Sequence, residues 1–365
     1  MPANPDPRLL DRRSALAWGG RLLLTGASVG AFRGTPATQA AASAQADPHS
    51  LVRGIVVSCG GVGQVWGTDS FAAEIDVLAE LGCNWVQIHP YAGFRRDGAV
   101  TSTLDPTDPP VEFVRPIREA HARGLKVLVK PHLAYWGTGF SWRGEVDFEG
   151  ADRERFWRTY AAWVADLARI TADADAFCVG TELDRLLDAD RWREVIAAVR
   201  AVHDGHLTYA PNWTDVERVR FWDALDCIGV QAYYPLSERS EPTPQQLRRG
   251  WRRRANELYS LHRKTGKPVV FTELGYSAGP LAAREPWVSS VARAEDAGGS
   301  AGVERAQALQ LRCFEAAQAT LDEHREWLRG AFLWKWFCGG PRSRDFRLQA
   351  EHLQPFLRER FAAER

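Results

Sequence analysis

The chain has 365 residues, 45% of them apolar, and its 46 Lys and Arg balance its 46 Asp and Glu to a formal net charge of zero. That length and apolar share can build one large core, and the absence of a dominant basic patch sets nucleic acid aside as a partner. Fifteen tryptophans are many for this length. Exposed indoles stack well on the apolar faces of sugars, although most Trp in any protein is core.

The N-terminus carries a targeting pattern. Asp11-Arg12-Arg13-Ser14-Ala15-Leu16 is a twin-arginine motif, followed by a weakly apolar stretch over 15–32 and by the small-residue sites Ala42-Ser43-Ala44 and Ala44-Gln45-Ala46. The expectation is an export signal with its linker over 1–46, cut near Ala44 or Ala46, and a mature, monomeric catalytic unit over 47–365 in the periplasm or outside the cell. The apolar stretch is too short and too polar for a membrane span, so no membrane attachment is expected after cleavage. Six cysteines (Cys59, Cys83, Cys178, Cys227, Cys313 and Cys338) include no Cys-x-x-Cys pair. A zinc site is therefore poorly supported and cysteine pairing stays open; no cofactor is expected, because the paired-carboxylate chemistry described below needs no metal.

Beyond residue 50, strand and helix signals alternate. Apolar, β-branched runs predict strands over 54–58, 84–89, 125–131, 177–182, 207–211, 227–233, 268–273 and 331–336. Helical patterns fall over 70–81, 111–123, 153–171, 191–203, 216–222, 244–265, 303–328 and 348–360. Eight strands each followed by a helix predict an α/β fold, a single (β/α)8 TIM barrel. A doubly wound open sheet is the alternative, but no Gly-x-Gly-x-x-Gly follows the first strand. Helix-to-strand links are short, as in Arg123-Gly124-Leu125, whereas the strand-to-helix links over 90–110, 132–152, 234–243 and 276–302 are long. Long loops gathered on one face of a barrel mark the functional face.

Two of the strand runs, Phe-Cys-Val-Gly-Thr-Glu-Leu and Val-Val-Phe-Thr-Glu-Leu-Gly-Tyr, each end in one glutamate, Glu182 and Glu273. By count they close the fourth and seventh strands, whose ends face each other across the barrel mouth. Two carboxyl groups about 5 Å apart suit retaining glycoside hydrolysis, one as nucleophile and one as acid and then base. The anionic neighbour raises the pKa of the donor, and esterification of the nucleophile lowers it again for the second step. A strand-end Glu paired with an Arg is the plainer reading for either residue taken alone.

These residues also carry a resemblance. The chain resembles glycoside hydrolase family 113 of clan A, retaining barrel hydrolases whose known members act mainly on β-1,4-mannan. The resemblance runs from about Gly54 to Trp336 through Asn84-Trp85-Val86, the run from Lys126 to Pro131, Cys178 to Glu182, Tyr209 to Trp213, Asp226 to Tyr234, Phe271 to Tyr276, Pro286-Trp287 and Phe332-Leu333-Trp334. It implies Glu182 as acid/base and Glu273 as nucleophile, with an oligosaccharide or polysaccharide as substrate. The chain has Thr181 where many clan members carry Asn, and Gln231 where many carry His. Mannan and other β-glycans both stay open as substrates.

Around the pair, Tyr233 is expected to orient Glu273 through its hydroxyl. Trp334 and Trp336 are expected to share one face of the last strand, with one of them flooring a sugar subsite. His89, Lys130, His132, Thr181, Asn212, Trp213 and Gln231 lie at strand ends as candidate sugar-hydroxyl contacts, with rim structure as the alternative. Trp66, Trp136, Trp142 and Trp287 lie in rim loops as candidate stacking platforms. Trp157, Trp163, Trp192, Trp222, Trp251 and Trp327 fall on helical patterns and are assigned to packing. A metal-dependent barrel hydrolase would carry His-x-His on its first strand, where this chain has Val56-Val57-Ser58. A phosphate-binding barrel needs glycine-rich loops after strands seven and eight, and only Cys338-Gly339-Gly340 offers one. A carbohydrate-binding protein without catalysis is the rival of a different class.

Overall fold

A computed structural model describes residues 51–291, 293, 298–340 and 345–362. The expected export signal over 1–46 lies outside the described residues. The strands are β1 (Val52–Cys59), β2 (Trp85–Ile88), β3 (Tyr91–Phe94), β4 (Val100–Thr101), β5 (Lys126–Val129), β6 (His132–Leu133), β7 (Ala176–Thr181), β8 (His206–Ala210), β9 (Ile228–Gln231), β10 (Val269–Leu274) and β11 (Leu328–Cys338). The helices are α1 (Asp69–Leu81), α2 (Val111–His121), α3 (Gly150–Ile170), α4 (Ala189–Arg200), α5 (Pro244–Thr265), α6 (Gly299–Glu323) and α7 (Gln354–Ala362).

Eight strands form one parallel sheet in the order β8-β7-β5-β2-β1-β11-β10-β9. The Asn212–Gln231 bridge brings the two ends together. Each sequence-derived strand has its counterpart, and the sheet is the expected (β/α)8 barrel. Its bore is filled by Val52, Val56, Trp85, Leu128, Cys178, Ala210 and Phe332, while a second and larger apolar layer lies between strands and helices. Gly54 is small because the Phe332 ring occupies the space a Cβ would need, 2.4 Å away. The helices end where their sequences say. Thr243 and Gln246 form a capping box at the start of α5, Pro244 opens its first turn, and Gly266 in a left-handed conformation closes it.

Two features depart from the expected elements. The helix expected over 216–222 is replaced by two 3₁₀ turns, Val216–Arg218 and Trp222–Ala224. Val216, Val219, Phe221 and Trp222 are all buried there, so the segment is packed on more sides than an amphipathic helix could offer. The loops after β2 and β5 also contain short strands of their own. β4, β3 and β6 form a small separate sheet in which Tyr91 pairs with His132 and Ala92 with Leu133. That pairing fixes the floor on which the candidate site is built.

Candidate active site

The site forms at the C-terminal ends of β2, β5, β7, β9, β10 and β11. Both glutamates follow register shifts. In the β7–β8 ladder, Cys178 pairs with Thr208 and Thr181 with Ala210; in the β10–β9 ladder, Phe271 pairs with Val230 and Glu273 with Gln231. An extra residue on one strand bends it and re-aims the side chains that follow. Glu182 has φ 52°, a left-handed conformation that costs a non-glycine residue about 1–3 kcal/mol. It is held by two hydrogen bonds: its own N–H donates to Ala210 O (2.9 Å), and the Leu183 N–H donates to the Tyr209 hydroxyl oxygen (3.1 Å).

Glu273 is buried and receives two donors. Tyr233 Oη donates to Oε2 (2.6 Å), and Lys130 Nζ donates to Oε1. Lys130 is fully buried and also donates to Gln231 Oε1 (3.0 Å). With the Gln87 amide turned so that its nitrogen donates to Thr272 O (3.0 Å), the Gln87 oxygen accepts from Lys130 Nζ at 3.3 Å. The three ammonium protons then meet three acceptors. Gln231 Oε1 also accepts from Thr272 Oγ1 (3.0 Å), so its amide is held from two strands. Burial and the adjacent Glu273 charge raise the Tyr233 pKa well above that of a free phenol, so it stays a donor.

Glu182 is equally buried and accepts from Arg143 Nη1 (2.7 Å). Arg143 comes from a 3₁₀ turn, Arg143–Glu145, in the long loop after β6. Its Nε donates to Leu133 O (2.9 Å) and its Nη2 to His132 Nδ1 (3.3 Å). Burial raises the Glu182 pKa; Arg143 opposes the shift and the Glu273 charge adds to it. Asp184, two residues on, is buried beside the same loop and its carboxyl is pushed up to about 8, by burial first and then by Asp215 and Glu182.

His132 is buried and held neutral, its pKa well below the usual value through burial and then the Arg143 and Lys130 charges. Because Arg143 donates to Nδ1, the ring proton sits on Nε2, which lies 3.8 Å from Glu273 Oε1 and makes no hydrogen bond. His89 stacks on His132 with ring centroids 5.2 Å apart; its Nε2 meets Ser58 Oγ (2.8 Å) and its Nδ1 has no partner. Two buried imidazole nitrogens with unused hydrogen-bonding capacity therefore lie beside the carboxyl pair. Tyr91 packs edge-on against both imidazoles, and Trp136, 42% exposed, lies 4.9 Å from Tyr91 and extends this aromatic wall outward.

The remaining sequence candidates are distributed differently. Trp334 reaches the site, its ring 5.6 Å from His89. Trp336 does not. β1 pairs Ile55 with Leu333 but Val57 with Trp336, so an extra residue in β11 breaks the alternation that would place the two indoles on one face. Trp336 instead donates its Nε1–H to Glu74 on α1 (2.6 Å), in the layer outside the barrel. Trp66 is fully buried and its Nε1–H donates to Val57 O (3.1 Å), which makes it the support behind His89 rather than an exposed platform. The Thr181 hydroxyl is engaged by Pro131 O (3.0 Å). Asn212 contributes the backbone bridge to Gln231. Trp213 stacks on Trp287 (6.0 Å, 27°) and lies under Arg254, forming a separate patch of rim with Tyr234. Sequence reasoning missed Gln87, Tyr91, Arg143, Asp184 and Lys335. Of these, Gln87 alone carried a usable signal, a polar residue inside an apolar strand run.

Among the described residues no group of three or more His, Cys, Asp or Glu is arranged to hold a metal ion, and no helix is long and apolar enough to cross a membrane. The family model of Glycoside Hydrolase Family 113 matches residues 58–345. Among solved structures, the chain is similar to a GH113 β-mannanase from Alicyclobacillus acidocaldarius in complex with ManMIm, with TM-score 0.70, 27% identity and coverage of 86% of this chain and 98% of that one. A GH113 β-1,4-mannanase complex superposes with TM-score 0.71 at 20% identity, over 86% and 100% of the two chains. A glycoside hydrolase family 5 mannosidase from Rhizomucor miehei shares the fold at TM-score 0.55 and 10% identity, over 86% and 92%. No curated protein sequence matches the chain.

Proposed function

The chain belongs to glycoside hydrolase family 113 and is a glycosidase, and from that premise we propose that it hydrolyses β-linked glycans, β-1,4-mannan or manno-oligosaccharides first, by double displacement. Glu273 attacks the anomeric carbon while Glu182 gives its proton to the leaving oxygen. Glu182 then takes a proton from the water that opens the glycosyl ester. The observation that carries this reading is the unequal setting of the two carboxyl groups: Glu273 receives donors on both oxygens, while burial and the Glu273 charge favour the protonated form of Glu182. Esterification removes the charge of Glu273, which lowers the Glu182 pKa when a base is needed. His132 Nε2 and His89 Nδ1 supply polar groups to sugar hydroxyls, and Trp334 supplies a ring face.

Reducing-sugar release from a panel of β-glycans tests the reading. Glu273→Gln is expected to abolish turnover and keep the fold. Glu182→Ala is expected to keep the first step on aryl glycosides whose leaving groups need no proton. Proton NMR should show the β-anomer first, and initial release of the α-anomer would overturn double displacement. Sugar binding without turnover on any glycan would favour a binding protein. The twin-arginine motif supports export of the mature chain from about residue 47. Substituting Arg12 and Arg13 by Lys should leave precursor in the cytoplasm, and unchanged export would remove that assignment.

A further inference from the structure

Lys130 and Arg143 each face one glutamate, and a third cation stands at the same site without such a match. Lys335 follows Trp334 on β11, and its ammonium lies 4.7 Å from the Trp334 ring centroid and 4.8 Å from that of Phe337. Trp334 in turn touches His89, which stacks on His132 beside Glu273. Among the described residues the ammonium has no hydrogen-bond acceptor and no ion-pair partner; only its backbone is tied, to Phe346 and Leu348. Asp345, whose charge Lys335 feels, already accepts from Ser277 Oγ (2.9 Å), Ser289 Oγ and the Val291 N–H (3.3 Å). Burial pushes the Lys335 pKa down to about 8, with Glu273 and Asp345 opposing that shift. A partly desolvated cation without a hydrogen-bonded counter-charge is less well solvated than in water, and a ligand that brings one negative charge relieves that cost.

We propose that Lys335 is a specificity-determining residue that binds a sugar carboxylate, so that a β-linked glycan carrying a uronic acid beside Trp334 is taken in preference to its neutral counterpart. Lys130 and Arg143 are each hydrogen-bonded to a glutamate, Glu273 and Glu182, and Lys335 is the cation of this site that has no such partner among the described residues. The chemistry therefore matches a monoanionic sugar. The ammonium rests on two aromatic rings, and Lys335 is partly buried, which leaves the residue reachable from solvent. The inference rests on the glycosidase reading of the same site and adds the class of sugar.

The test uses β-1,4-manno-oligosaccharides and the same oligosaccharides with their primary alcohols oxidised to carboxylates, measured by calorimetry on Glu273→Gln at low ionic strength. The oxidised form is expected to bind about tenfold more tightly, the value of one hydrogen bond to a charged group. That advantage should collapse to about one in Glu273→Gln combined with Lys335→Met, return with Lys335→Arg, and shrink with added salt. A purely structural role for Lys335 would weaken both ligands together and leave their ratio unchanged. Tight binding of the neutral form with no advantage for the acid overturns the Lys335 assignment alone, as does an advantage that survives Lys335→Met. Failure of both forms to bind overturns the glycan reading beneath it as well.

Discussion

Arg143 and Asp184 lie close to Glu182 and differ in role: the first is its cationic partner, the second a buried carboxyl whose own pKa Glu182 helps to raise. The Arg143 charge favours the carboxylate form of Glu182, so its removal leaves the neutral acid favoured. Arg143→Met should therefore move the basic limb of the kcat/KM profile upward, and a downward move would remove Arg143 from this role. Asp184 is a buried carboxyl whose pKa lies near 8, far above that of the unfolded chain. The folded state thus keeps a proton that the unfolded state releases. The stability this gives is complete below the unfolded value, near 4, and is lost as pH rises to about 8. Asp184→Asn, which cannot ionise, should match the wild type in unfolding free energy near pH 4 and exceed it increasingly toward pH 8, by up to about 5 kcal/mol. Equal free energies across that range would show that Asp184 is solvated. Neither residue was legible beforehand. Arg143 lies 39 positions from Glu182 along the chain, in a loop whose path depends on the β3–β6 pairing, and nothing in the sequence separates it from the many other arginines.

Local bends in the strands decide which side chains reach the chemistry. The glutamates were legible because each closes an apolar run and such runs end at the rim. Trp336 was misassigned because period-two alternation holds only in a regular strand, and β11 carries an extra residue between Leu333 and Trp336. The two indoles should therefore respond differently. Trp334→Ala should lower kcat/KM by tenfold or more with little change in midpoint, by about 1.4 kcal/mol in transition-state terms. Trp336→Phe should cost about 1 kcal/mol of stability through the lost bond to Glu74 and leave activity near that of the wild type. A strong loss of activity in Trp336→Phe, with its stability intact, would return it to the site. The missing helix over 216–222 has a similar origin. Its apolar residues fit a segment buried on several sides, and a periodicity argument does not separate that from one buried helical face.

At the scale of the whole molecule, the barrel was legible from strand count and loop asymmetry, because both follow from a parallel sheet wrapped by helices. The polar network inside its mouth was not, since it joins residues that only closure brings together. Lys130 on the β5 side, Gln87 on β2, Gln231 on β9 and Glu273 on β10 meet around one ammonium. This network bears on how the protein can change by descent. Replacing Glu273 by a residue with no acceptor would strand a buried cation, a loss of about 3–5 kcal/mol that can exceed much of a domain's stability. A lineage drifting from catalysis toward simple sugar binding must therefore alter Lys130 before, or together with, Glu273, or pass through Gln. Single-step changes of Glu273 to a residue with no acceptor are thus selected against for folding as well as for function, so the buried ammonium narrows the exits from catalysis at this position to Gln.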